Sequence, residues 1–303
     1  MKKVIMFVLV FSMLFCGTFS AIHVSAEESS GNETEYLDYE PAYTPMDRIG
    51  QNVGNRAIIS EGDDQDDDRF IVGDVTVSPY CKIVFVRSFF YYQGKCVASV
   101  GSTGFILGPD LIVLSGHALH REIEIGNETK YLTAGLCYVF LETNGVAPTE
   151  DDAIKSVGIF VPNEYKDRTN NNRACYDWGY IIVEKPVGYT QGWFGFGTIA
   201  QPHNVAVAGY PTSGNYRMYR GAKQAEPNPY NNMLVKHTVD TTEGQSGSPI
   251  YDADQIVWGI HVLGKVDCNG DGIVENWNNG IKINSEIFAL LKTKKQEGIE
   301  RWG

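Results

Sequence analysis

From residue 80 onward, short runs of β-branched and aromatic residues alternate with breaks rich in Gly, Asn and Asp. Runs of that length and composition form strands. They cover residues 83–92, 96–107, 111–114, 131–141, 156–161, 179–183, 205–210, 216–220, 233–239, 248–251 and 256–263. Gln93-Gly94-Lys95 sits between the first two runs and predicts a hairpin turn. Only residues 285–295 carry helical spacing, with Ile287, Leu290 and Leu291 on one face behind a Ser285 cap. Many short strands closed by one helix predict an all-β barrel or sandwich. Gly195-Phe196-Gly197 lacks the third glycine and the following helix of a dinucleotide site, so that fold is rejected.

The N-terminal stretch does not share this pattern. Lys2 and Lys3 precede an uncharged apolar run over 4–19, and Val24-Ser25-Ala26 supplies small residues for cleavage. Residues 1–26 read as a signal peptide, since the run is short for a membrane span. Residues 27–56 hold seven acids, two arginines and two prolines with almost no aliphatic periodicity. They read as a pro-segment, with a processing point at Arg56 before Ala57-Ile58-Ile59. The mature chain would then be 57–303, secreted and extracellular, with no membrane contact once the signal is removed. With 43% apolar residues the chain can bury a core, and its net charge of −12 argues against nucleic acid as a partner.

The string Glu243-Gly244-Gln245-Ser246-Gly247-Ser248-Pro249 sets a serine between glycines ahead of an apolar strand. Glycines allow the sharp turn a nucleophile needs, and the N–H groups of Gly244 and Ser246 would converge as an oxyanion hole. A serine hydroxyl needs a base. His117 in Ser115-Gly116-His117-Ala118 ends the apolar 111–114 run, whereas His120 lies in a polar run and His203 in a loop. Asp177 in Tyr176-Asp177-Trp178-Gly179 abuts another apolar strand, where a carboxylate is costly unless hydrogen-bonded. The order His117, Asp177, Ser246 is that of chymotrypsin-type proteases rather than subtilisins or α/β-hydrolases.

On these strings the chain resembles the bacterial glutamyl endopeptidases, secreted chymotrypsin-like serine proteases. The resemblance spans about residues 69–295. It also rests on residues 102–109, Ala208-Gly209-Tyr210-Pro211 and Ile260-His261. It implies two six-stranded antiparallel β-barrels, about 57–187 and 188–303, the second followed by the C-terminal helix. It also implies His117 as general base, Asp177 as its orienting partner and Ser246 as nucleophile. Thr241 and His261 would line a pocket for a glutamate side chain, and the amine freed near Ala57 would contribute to it. The substrates would be proteins or peptides, the protease a monomer, and no cofactor would be required. The readings in competition keep the triad with another primary specificity, or make the chain a non-catalytic binding homologue.

Two features stand apart from that resemblance. Asp267, Asn269 and Asp271 alternate like the start of a calcium loop, although position 12 is Asn278 rather than Glu. The mature chain keeps five cysteines, Cys81, Cys96, Cys137, Cys175 and Cys268, so at least one thiol is left over and the pairing is open.

Overall fold

The structure, a computed structural model, describes residues 39–45, 67–264 and 275–303. The signal peptide, the Arg56–Ala57 processing point, Cys268 and the calcium candidates Asp267, Asn269 and Asp271 lie outside the described residues. Two short strands come first, β1 (Tyr39–Glu40) and β2 (Phe70–Ile71). Then follow β3 (Ile83–Tyr92), β4 (Lys95–Ile106), β5 (Leu111–Leu114), β6 (His120–Ile125), β7 (Glu128–Thr133), β8 (Leu136–Phe140), β9 (Ile154–Phe160) and β10 (Gly179–Val183). Strands β3, β4, β5, β8, β9 and β10 close a six-stranded antiparallel barrel in the order β10-β5-β4-β3-β8-β9. Val84, Val86, Ile106, Ile112, Leu114 and Ile181 are among the side chains that fill it.

The second half contains β11 (Gly195–Gly197), β12 (His203–Gly209), β13 (Tyr219–Pro227), β14 (Leu234–His237), β15 (Pro249–Tyr251), β16 (Ile256–Leu263) and β17 (Asn278–Lys282). Six of these form a ring, β16-β15-β12-β13-β14-β17, closed by the β16–β17 pairing. Closure leaves no free edge within the ring. Val207, Val235, Ile250 and Trp258 pack together in this half. The expected two-barrel architecture with a C-terminal helix is therefore present.

The turn at residues 93–95 shows how local chemistry dictates the first barrel. Gln93 and Gly94 have φ of 49° and 76°, the left-handed pair that matches strand twist in a two-residue hairpin. Apart from displaced strand ends, such as β13 in place of 216–220, and the unforeseen β2, β11 and β17, four sequence expectations shift. The 131–141 run breaks after β7, and Gly135 N–H turns to donate to Phe89 O at 2.9 Å. The polar stretch His120-Arg121-Glu122 opens β6, which pairs only with β7 as an outlying hairpin. The C-terminal helix runs Ser285–Trp302, and its cap is Asn284, whose side chain accepts from the Glu286 and Ile287 N–H groups. An Asn one residue earlier offers the same oxygen as the expected Ser285 cap.

The fourth shift concerns the pro-segment, where residues 39–45 are ordered against the body. β1 extends β11, and Tyr43 stacks on Trp193 with ring centroids 4.4 Å apart. Glu40 sits between Lys292 (2.8 Å) and Lys295 (3.3 Å) of the C-terminal helix. These contacts are made by the exposed edge of β11 and by two cations far along the chain, so no local periodicity announces them.

Candidate active site

The site forms where the barrels meet. β5 delivers the chain to a short turn, Gly116–Ala118, that carries His117. A second turn, Arg173–Tyr176, delivers Asp177 just ahead of β10, the neighbour of β5. His117 Nδ1 faces Asp177 Oδ2 at 2.7 Å, and the His117 backbone N–H donates to Asp177 Oδ1 at 2.6 Å. Both carboxylate oxygens are thus spent on one residue, which fixes ring and backbone together. Gly116 makes this approach feasible, because a Cβ there would stand 2.9 Å from Trp178 N and 3.0 Å from Asp177 Oδ1. Asp177 is buried and His117 is about one-third exposed, so the imidazole keeps an open side. Burial pulls the His117 pKa down, but the facing carboxylate outweighs it, and the net direction is upward. The other candidate base, His120, is turned away and bonds Thr133 Oγ1 at 2.9 Å.

Ser246 comes to the end of β5 from the second barrel. Its carbonyl accepts from Thr103 N–H at 3.1 Å. Gly247 then lies flat on the end of β5, where an added Cβ would stand 3.0 Å from Ser115 N and 3.1 Å from Leu114 Cβ. Its φ of 90° is left-handed as well, so both space and conformation call for glycine. Gly244, with φ of 93°, is oriented from both sides. Its carbonyl accepts from Thr103 Oγ1 at 2.9 Å, and the preceding Glu243 carbonyl accepts from Thr212 N–H at 2.7 Å. In a trans peptide N–H and C=O point oppositely, so the Gly244 N–H is directed away from Thr212. Among the described residues, neither the Gly244 nor the Ser246 N–H has an acceptor.

His261 lies on β16, tied to the residues just past Ser246. Gly247 N–H donates to His261 O at 2.7 Å, and His261 N–H donates to Ser248 O at 2.9 Å. The imidazole is buried and its Nδ1 lies 3.1 Å from Nε2 of His237, a residue not singled out from the sequence. Burial pushes His237 down to about 3. His261 is held well below its usual range by burial, then by its neighbours His237 and His117. Both rings are therefore neutral at pH 7. Thr241 lies on the same side. Its Oγ1 accepts from Asn278 Nδ2 at 3.1 Å, and Asn278 is the cross-strand neighbour of His237.

No protein-family model matches the chain. A glutamyl endopeptidase from Bacillus licheniformis is 27% identical over 246 residues, covering 76% of this chain and 67% of its own. The solved structure of a Glu endopeptidase in complex with MPD has a TM-score of 0.56 at 22% identity, over 77% of this chain and 98% of that one. The chain has the chymotrypsin-like serine protease fold, and its homologues support a serine protease hydrolase. Its similarity to the glutamyl endopeptidases, expected from its motifs, is borne out. An extracellular metalloprotease of Bacillus subtilis is 23% identical over 209 residues, 64% of this chain and 58% of its own. Among the described residues of the protease, no three His, Cys, Asp or Glu side chains gather as a metal site. Among the described residues, Cys96 is an exposed free thiol and Cys137 a buried one.

The sequence also gave no warning of Arg69. Its side chain is only 8% exposed. Nη1 donates to Gln245 Oε1 at 2.6 Å and to Thr242 Oγ1 at 3.0 Å, while Nε donates to Asp67 at 2.8 Å. A cation from the N-terminal segment thus holds the residue preceding Ser246, and the acidic run before it supplies the counter-charge. Arg69→Met is expected to lower kcat by about 10- to 100-fold, the loss of charge-assisted hydrogen bonds, with Arg69→Lys in between. Steady-state kinetics of both variants check this, with KM shifting less than kcat.

Proposed function

We propose that this protease is a secreted endopeptidase that cuts after acidic residues, Glu preferred over Asp, through an acyl-enzyme. Ser246 Oγ attacks the scissile carbonyl. His117 takes the proton and later returns it to the leaving amine. Asp177 holds the imidazole tautomer with the proton on Nδ1 and stabilises the imidazolium. The Gly244 and Ser246 N–H groups receive the oxyanion. The reaction needs no cofactor. The observation that carries this reading is the His117–Asp177 pair, anchored through both carboxylate oxygens, beside a serine loop whose glycines fit against β5.

The pocket assignment is Thr241 and His261. A substrate carboxylate entering a partly dry site must be paired or hydrogen-bonded. If His237 Nε2–H donates to His261 Nδ1, the His261 proton sits on Nε2 and is free to donate to that carboxylate. The Thr241 hydroxyl supplies a second donor. Glutamate outdoes aspartate because one more methylene carries the charge to fixed donors. Glutamine fits the shape but forgoes the charge-assisted part, an expected loss of about 10- to 100-fold in kcat/KM. Matched peptides with Glu, Asp, Gln or Lys before the scissile bond measure this in wild type and His261→Ala. Preference for Lys or Gln in wild type would remove the specificity claim, and a Glu preference untouched by His261→Ala would remove the pocket assignment.

The reading includes activation by removal of residues 27–56 at Arg56–Ala57, and a monomeric product. One experiment tests the whole. The culture-fluid form is labelled with a covalent fluorophosphonate, its N-terminus is sequenced, and its cleavages in an unstructured protein are mapped by mass spectrometry. An unlabelled Ser246 makes the chain a binding homologue. A fully active form beginning at Glu27 rules out the processing switch.

A further inference from the structure

A cavity of about 490 Å³ opens beside the serine loop, lined by Phe85, Arg87, Gly101, Tyr210, Thr212 and Tyr216 among others. Its place relative to Ser246 follows from the hydrogen bonds. Thr212 carries the Glu243 carbonyl, so the cavity wall touches the residues before Ser246. The His261 side is tied to the residues after it, through Gly247 and Ser248. A peptide whose acyl half occupies the His261 side must send its leaving half toward the cavity. The distance also fits. Thr103 N–H meets the Ser246 carbonyl, and Gly101 is two residues back along β4 with Arg87 directly opposite it on β3. Two residues of strand span about 6.6 Å, the reach of the second residue after the scissile bond in an extended chain.

Arg87 gives the cavity its chemistry. The guanidinium is half-buried, lies 6.0 Å from the Phe85 ring centroid, and donates through Nη2 to Tyr216 Oη at 3.4 Å. Among the described residues it pairs with no carboxylate, in a chain of net charge −12. The Glu142 charge bears instead on the buried Tyr210 hydroxyl, whose pKa it helps to raise after burial. The residue after Tyr216 is another cation, Arg217, whose Nε stands 2.9 Å from where a Cβ on Gly145 would be. Guanidinium offers five donors in a planar fork, so most of the Arg87 donors remain for a ligand, and the ligand that matches them is a carboxylate. Gly101 keeps the approach open, since a Cβ there would meet the Phe85 ring at 3.0 Å.

We propose that this cavity is the leaving-group subsite of the protease and that Arg87 makes it select an acidic side chain at the second position after the cut. The inference rests on the endopeptidase reading above. It means that the enzyme reads acidity on both sides of the bond, so clustered acidic segments are its best substrates.

The test uses internally quenched peptides with Glu before the scissile bond and Glu, Ala or Lys at the second position after it, the Ala peptide being the reference. Wild type is expected to cut the Glu peptide about tenfold faster in kcat/KM than the Lys peptide, and Arg87→Glu to reverse that order. Arg87→Met, which keeps the stem over Phe85, is expected to flatten the series and serves if the charge reversal fails to fold. A wild-type series level within twofold overturns the proposal, as does an order unchanged by either variant. If all three peptides are cut equally well after Glu, only the subsite falls. If none is cut, the endopeptidase reading falls and the subsite with it.

Discussion

Replacing Ser246 with alanine is expected to lower kcat for peptide hydrolysis by about 10⁶-fold while leaving the protein folded. The expectation follows from how little else Ser246 does. Its anchoring contact is made by the backbone carbonyl, with Thr103 N–H, and the neighbouring glycines carry the conformational demand. Alanine keeps that carbonyl and adds no volume, so thermal unfolding is expected to match wild type. What would disappear is the oxygen that His117 activates in the proposed mechanism, and with it the acyl-enzyme. The residual rate over water would come from the oxyanion N–H groups and binding alone. Fluorophosphonate labelling of the variant must also vanish. Hydrolysis within tenfold of wild type, with contaminating protease excluded, would remove Ser246 as nucleophile.

Asp177→Asn is expected to cost about 10⁴ in kcat. The carboxylate accepts from His117 at both the ring and the backbone. An amide retains one oxygen and presents an NH₂ group in place of the other. If that group faces Nδ1, the ring must carry its proton on Nε2, where it can no longer accept one from Ser246. The pH profile separates this from simple misfolding. His117 works as a base only when neutral, and its pKa is held above the usual value, burial opposing and Asp177 prevailing. Wild-type kcat/KM therefore rises with pH through a midpoint above about 6.5. Removing the carboxylate removes the cause of the upward shift, so the residual activity of Asp177→Asn should rise at lower pH than wild type. A midpoint that stays put would mean that Asp177 does not set the His117 pKa.

Most of the barrel framework was legible in the sequence because its strands are short, apolar and punctuated by glycine. Residues 83–92, 111–114, 179–183 and 256–263 match observed strands end for end. The candidates His117, Asp177 and Ser246 stand out because each sits beside such a strand among small residues. What could not be read depends on partners distant in the chain. β6 has the sequence HREIEI, which looks solvated until β7 supplies its ladder. β1 depends on an edge that exists only once β11 and β16 have paired. Arg69 looks like a surface cation in an acidic run, and its role emerges only when Gln245 and Thr242 arrive from the second barrel. His237 has no distinguishing spacing, being a histidine near a strand end. Its meaning lies in the cross-sheet contact with His261.

Thr103 belongs to the first barrel but holds three groups of the second. Its N–H meets the Ser246 carbonyl, its hydroxyl donates to the Gly244 carbonyl, and the same hydroxyl accepts from Tyr210 N–H at 2.8 Å. Neither half of the chain therefore owns a finished catalytic centre. A nascent protease with one barrel formed would expose long stretches of uncollapsed chain, its own and its neighbours', at the moment they are easiest to cut. Because the loop that would cut them is held against Thr103, proteolytic competence requires both barrels in place. The geometry that makes it an enzyme also keeps a half-folded copy from cutting its neighbours.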